Sequence, residues 1–156
     1  MKRYVKTAEL FPLIKEELLQ NKCVKFTVSG HSMMPFIRNN RDQVLVQFAD
    51  MCSLKKRDII LFEAAKDRYT LHRICRKTQK GYITLGDACF TKDDEVAYHN
   101  ILGKVTKIYR NGKEINCNSL SYRFVVCIWC RFKTLRRIMY MLYRIKSRLK
   151  RIVIPR

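Results

Sequence analysis

No acidic side chain follows Glu114 in this chain of 156 residues. Residues 115–156 carry eleven Lys and Arg, while the other 22 bases stand among all 13 acids, a net of +9 for that part. More than half of the formal +20 thus lies in the last quarter of the chain. Such an excess implies an acidic partner, either nucleic acid or an anionic membrane surface. Also missing is any run of eighteen apolar residues, which excludes an ordinary transmembrane helix; the longest runs, Phe124–Cys130 and Ile138–Tyr143, stand among arginines. No apolar core follows Lys2 and Arg3, because Lys6, Glu9, Lys15, Glu16 and Glu17 interrupt it, so no secretory signal peptide is read there. The seven cysteines are odd in number and lack a secretory context, and they read as reduced, cytosolic thiols. Cys127 and Cys130 have metal-like spacing, but no second pair or histidine cluster completes a zinc site, so no metal or cofactor is expected. There is no internal repeat and no low-complexity linker.

What is present suits one compact domain with an extension. Apolar residues make up 47% of the chain, enough for a core. Over residues 7–20, Ala8, Leu10, Phe11, Leu13, Ile14, Leu18 and Leu19 recur at helical spacing, with Thr7 as candidate N-cap. From Cys23 the period changes to two. Val24, Phe26 and Val28 alternate with polar residues, and short strands are predicted over Gln43–Phe48, Asp58–Phe62, Tyr69–Arg76 and Gly81–Leu85. Lys104–Arg110 and Lys113–Cys117 read as a hairpin about Asn111-Gly112, which tolerates a type I′ turn. The predicted organisation is an N-terminal helix over 1–22, a mainly β domain over 23–117 and a basic amphipathic helical tail over 118–156. In the tail, Phe124, Ile128, Phe132, Leu135, Met139, Leu142, Ile145, Leu149 and Ile152 recur every three or four positions, with bases on much of the opposite face.

The densest local chemistry is Ser29-Gly30-His31-Ser32-Met33-Met34-Pro35, directly after a predicted strand. Pro35 biases Met34 toward extended backbone, and Gly30 permits a sharp turn before Ser32. Such a turn presents a hydroxyl with backbone amides beside it, which makes Ser32 a candidate nucleophile and its own N–H a candidate oxyanion donor. A base is then required. Tyr69–Ile74 alternates as a strand with Thr70, His72 and Ile74 on one face, and His72 is the candidate. Asp87, Asp93 and Asp94 are the candidate carboxylates that would fix the imidazole tautomer. His31 adjoins Ser32 but points away in an extended turn. Cys89 stands near Asp87 and His99 in a loop; neither is assigned a role.

Taken together, these segments resemble the type I signal peptidase family, relatives of the LexA-like self-cleaving repressors. The likeness runs over about residues 24–109 and lies in Ser29–Pro35, the Asp58–Phe62 strand, Leu71-His72-Arg73-Ile74, Gly86-Asp87-Ala88 and Ile101–Val105. The histidine at position 72 is similar to the branch of that family that uses histidine where bacterial enzymes use lysine. The resemblance implies a signal-peptidase/LexA-like β fold and a serine endopeptidase that cleaves a signal or precursor peptide after small residues. Ser32 would be the nucleophile, His72 the general base, Asp93 or Asp94 its support, and Asp87 a hydrogen-bonding support of the site. Met33, Met34 and Pro35 would line the groove where the substrate pairs as an added strand. An ordinary imidazole titrates near about 6.5, so activity is expected to rise between weakly acidic and neutral pH.

The chain departs from the family in three places. About 22 residues, eight of them charged, stand where family members usually carry a membrane anchor. Arg57 occupies a position that is often glycine. The large insertion of many bacterial enzymes is missing. The tail is expected to replace the anchor: a stripe with Phe124, Trp129 and Phe132, backed by arginines, suits an anionic membrane surface. The expected location is cytoplasmic, peripheral at the inner face of the membrane, or alternatively anchored through the C-terminal segment. Nucleic acid is the less favoured partner, and the oligomeric state is unassigned. Two rival readings remain: a non-catalytic peptide-binding module, and a LexA-like self-cleaving regulator that binds nucleic acid.

Overall fold

The computed structural model describes residues 7–50, 53–66, 68–132, 137–138 and 141. It begins with helix α1 (Thr7–Leu19), where Ile14 and Leu18, four positions apart, are buried on one face. The Thr7 cap lies outside the described side chains. Eight strands follow: β1 (Val24–Thr27), β2 (Gln43–Gln47), β3 (Ile59–Ala65), β4 (Arg68–Lys77), β5 (Gly81–Leu85), β6 (Glu95–Ala97), β7 (Ile101–Arg110) and β8 (Lys113–Asn116). They form one antiparallel sheet in the order β1-β2-β7-β3-β4-β5-β6, with β8 paired to β7. The fold is mainly β, as composition and periodicity predict. Asn111 and Gly112 take positive φ (50° and 77°) between β7 and β8, the backbone that the predicted hairpin turn demands.

Strand β7 is the spine. One edge pairs with β2, and the other serves β3 along its first half and β8 along its second. Strand β3 is buried from Ile59 to Phe62 because apolar side chains cover both of its faces. Its period of two sends Ile59 and Leu61 into one core, with Ile14, Leu18, Val44, Val105 and Ile108. Ile60 and Phe62 enter a second core with Ile74, Tyr82 and Val96. The N-terminal helix therefore shares a core with the sheet.

Three aspartates are buried in this frame, and each is met by cations. Asp42 pairs with Arg38 and Arg110. Asp58 pairs with Lys104 and Arg123. Asp87 pairs with Arg73. Burial raises the Asp42 carboxyl, but Arg110 and Arg38 outweigh it and hold it below its ordinary value. Arg57, expected to depart from a glycine position, adopts φ +76°, keeping the turn at the expense of a strained backbone.

The tail differs from its expectation. Helix α2 runs from Leu120 to Arg131, capped by the Ser119 side chain, and Phe132 leaves helical geometry. Its apolar residues divide between two faces. Val126 and Trp129 are buried, Trp129 beside Phe36, whereas Leu120, Phe124, Ile128 and Phe132 are exposed. Trp129, expected in the outward stripe, instead donates its indole N–H to the Asp87 carbonyl at 3.2 Å. Tryptophan combines the largest apolar surface with one donor, and here the interior satisfies both. Leu135, Met139, Leu142, Ile145, Leu149 and Ile152 lie outside the described residues. No helix among those described is long and apolar enough to cross a membrane.

Candidate active site

Ser32 stands where β1 gives way to a compact loop. Gly30 turns the chain at φ +111°, a conformation that favours glycine, and its N–H donates to Asn39 Oδ1 at 2.9 Å. A turn follows, closed by Ile37 N–H to Met33 O at 2.9 Å, and the Met34–Pro35 peptide is cis. Ser32 is half-buried at the head of this turn, and its carbonyl accepts from the Ala88 N–H at 2.8 Å. That bond ties the serine loop to the Gly86–Cys89 turn.

His72 reaches the same place from β4. It is 7% exposed, opposite Ile60 in the sheet and edge-on to the Phe62 ring at 6.2 Å. Its Nδ1 lies 2.6 Å from Asp93 Oδ2, and the Thr84 hydroxyl donates to that same carboxylate oxygen. The Asp93 N–H donates to the Thr84 carbonyl at 3.0 Å, so β5 holds both ends of the aspartate. Asp94, the adjacent candidate, is exposed, and the imidazole's partner is Asp93. Burial pushes the imidazole down, but the Asp93 carboxylate and the nearby Cys89 sulfur outweigh it, leaving its pKa raised to about 9. Burial likewise raises Asp93, yet the bonds from His72 and Thr84 keep it below its ordinary value.

Gly86 marks where these pieces converge. A Cβ there would stand 2.7 Å from the Ser32 carbonyl oxygen, 2.7 Å from Cys89 Sγ and 2.9 Å from His72 Nε2. Only a hydrogen fits between the serine loop and the imidazole. His72 Nε2 is buried and makes no hydrogen bond of good geometry, to Ser32 or to any other group, although the Cys89 sulfur is close enough to raise the ring's proton affinity.

Asp87 points elsewhere. Its carboxylate takes a two-pronged bond from Arg73, Nε to Oδ1 at 2.9 Å and Nη2 to Oδ2 at 2.6 Å, and both side chains are 3% exposed. Arg73 Nη1 donates to the Arg57 carbonyl at 2.7 Å, and Nη2 also reaches the Tyr122 hydroxyl at 3.4 Å. Phe36 meets Tyr122 and Trp129 edge to face at 5.8 and 5.7 Å. Asp87 thus supports the site through the loop that carries Gly86. The sequence reading gives Arg73 and Thr84 no role, and it puts Trp129 in the tail's stripe. Arg73 follows His72 and so takes the other face of β4, and that alternation was the available signal.

A cleft of about 160 Å³ opens beside Ser32, lined by Phe26, Val28, Gly30, Ser32, Met33 and Leu71 among others. Of the three residues expected to line a groove, only Met33 does so. Met34 and Pro35 stand apart from it, and the Pro35 carbonyl accepts from Arg110 Nη2 at 3.2 Å. His31 is exposed beside the Asn39 amide, and His99 is exposed in a short 3-10 turn, Tyr98–Asn100. Among the described residues no three His, Cys, Asp or Glu side chains cluster as a metal site requires. No protein-family model matches this chain, and no curated protein does.

Proposed function

We propose that the chain is a serine endopeptidase of signal-peptidase type, with Ser32 as nucleophile, His72 as general base and Asp93 as its orienting carboxylate. One observation carries the reading: His72, held at Nδ1 by Asp93, directs a buried Nε2 toward the Gly86 gap that also receives the Ser32 loop. In turnover the Ser32 hydroxyl attacks a peptide carbonyl, His72 takes its proton, and the imidazolium returns that proton to the leaving amine. The resulting ester is then hydrolysed by water. The cleft leads to Ser32 past the free side of β1, an edge strand on which an extended peptide can pair. The small cleft suits the small residue expected before the cut. The fold implied is of the signal-peptidase/LexA-like type.

The location we propose is peripheral, on an anionic membrane surface at the cytoplasmic face. The exposed row Leu120, Phe124, Ile128 and Phe132 precedes a stretch that contains nine further bases and no acid. That combination suits a headgroup layer.

Digestion of a peptide library by the whole protein tests the enzymatic claim. Cleavage after small residues, lost in Ser32→Ala, is expected. Equal cleavage by both proteins contradicts it. The absence of a Ser32–His72 hydrogen bond is the one feature that favours a peptide-binding module instead, and peptide binding without cleavage would establish that alternative.

A further inference from the structure

Cys89 closes the turn that begins at Gly86, its N–H donating to the Gly86 carbonyl at 3.0 Å. The turn folds the thiol back so that Sγ and His72 Nε2 both border the space over Gly86, 2.7 and 2.9 Å from where a Cβ on that residue would stand. The imidazole nitrogen aimed at this place is more than nine-tenths buried and has no hydrogen-bond partner. On the ring's far side Asp93 fixes Nδ1. A nucleophile, a base and an orienting carboxylate therefore stand in series, and the nucleophile is sulfur. Cys89 is half-buried, and its neighbour Phe90 is 55% exposed, so reagents can approach from that side.

We propose that Cys89 is a second nucleophile of the site and a modification position for disulfides, activated by His72. The His72 imidazolium holds the proton that the thiol gives up, and the sulfur attacks one sulfur atom of a disulfide. The new S–S bond forms as the old one breaks. The departing thiolate carries away the electron pair and takes up the proton, so Cys89 is oxidised and half of the reagent is reduced. The adduct occupies the gap over Nε2 and separates Ser32 from its base. This last consequence rests on the peptidase reading, whereas the thiol's reactivity does not.

Three titratable groups surround the reaction: His72 from β4, Asp93 ahead of β6, and Cys89 itself. Asp87 is committed to Arg73. A thiol that transfers its proton to a neighbouring imidazole stays reactive in weak acid, where an ordinary thiol does not.

The test treats the whole protein with glutathione disulfide between pH 5 and 9 and maps the modified cysteines. At pH 6, Cys89 is expected to react about ten-fold or more faster than exposed Cys23, with a flatter pH profile. His72→Ala removes that advantage, and the wild-type pH profile decides the matter if the variant does not fold. A Cys89 rate no greater than that of Cys23 at pH 6, or a rate indifferent to His72→Ala, overturns the proposal. Peptide cleavage is measured in parallel. Wild-type cleavage should stop on modification and return with dithiothreitol, while any cleavage by Cys89→Ser ignores the disulfide. Fast Cys89 labelling without cleavage in any sample refutes the peptidase reading and leaves the thiol assignment standing.

Discussion

The titration of His72 ties chemistry to stability, with opposite signs. A general base must be neutral, so cleavage is expected to rise with pH through about 9. This replaces the rise near neutrality that an ordinary imidazole implies. Stability runs the other way. A folded-state pKa above the ordinary 6.5 adds stability that is complete below 6.5 and is lost as pH climbs through about 9. The melting temperature should therefore fall over that window, and fall less in Asp93→Asn; an equal fall in both proteins would refute the pair's part in it. Gly86→Ala is a second residue-level test. Its methyl would meet the Ser32 carbonyl and His72 Nε2, so cleavage should drop by about 100-fold while circular dichroism reports an intact sheet. Wild-type cleavage by that variant would show that the gap is not where the groups meet. At Arg57, substitution by glycine relieves the positive φ and removes a buried Nε without a partner, so Arg57→Gly should stabilise by about 0.5–1 kcal/mol in urea unfolding. Ser32 and His72 were legible in the sequence because turn chemistry and strand alternation are local. The choice of Asp93 over Asp94 was not, because adjacent carboxylates differ only by which one the Thr84 hydroxyl and carbonyl receive. Cys89 was missed because its approach to the imidazole depends on a turn of four residues folding over Gly86.

Among the elements, the strands with alternating side chains were readable, and β2, β4, β5 and the β7–β8 hairpin stand where the pattern puts them. Strand β6, three residues long, has too few side chains to show a period and was not predicted. Helix α2 lies within the cationic amphipathic helix read over 118–156, for which one or two breaks were allowed, and the chain leaves helical geometry at Phe132. The spacing could not tell which apolar residues the body would bury. Tyr122 and Trp129 attach α2 to the Arg73–Asp87 pair, so the helix braces the loop of Gly86. Trp129→Ala should cost about 3–5 kcal/mol and lower cleavage as well, since both the packing and the bond to the Asp87 carbonyl are lost. Phe124→Gln on the opposite face should leave stability within about 0.5 kcal/mol of wild type. It should nevertheless weaken sedimentation with anionic vesicles; unchanged sedimentation would separate α2 from the membrane claim.

In the whole molecule, charge and chemistry occupy different parts. The fold buries Asp42, Asp58 and Asp87 against cations, Arg123 of α2 among them, and the other ten bases of residues 115–156 stand in a stretch without acids. Charge named nucleic acid and an anionic membrane as candidates, and the tail's amphipathic spacing put the membrane ahead. The exposed apolar row of α2 supports that proposed surface, where each nearby base would contribute on the order of 1 kcal/mol. On the proposed reading the charge concerns where the protein works, and the Ser32–His72–Asp93 arrangement concerns what it does there. The most direct test of that arrangement is a rapid acid quench of the protein with a peptide ester that ends in alanine, followed by mass mapping. The account predicts an acyl group on Ser32, absent in Ser32→Ala and reduced about 10³-fold or more in formation rate in His72→Ala. An acyl group found on Cys89 alone, or none at all while the ester is consumed as fast by Ser32→Ala as by wild type, would contradict it.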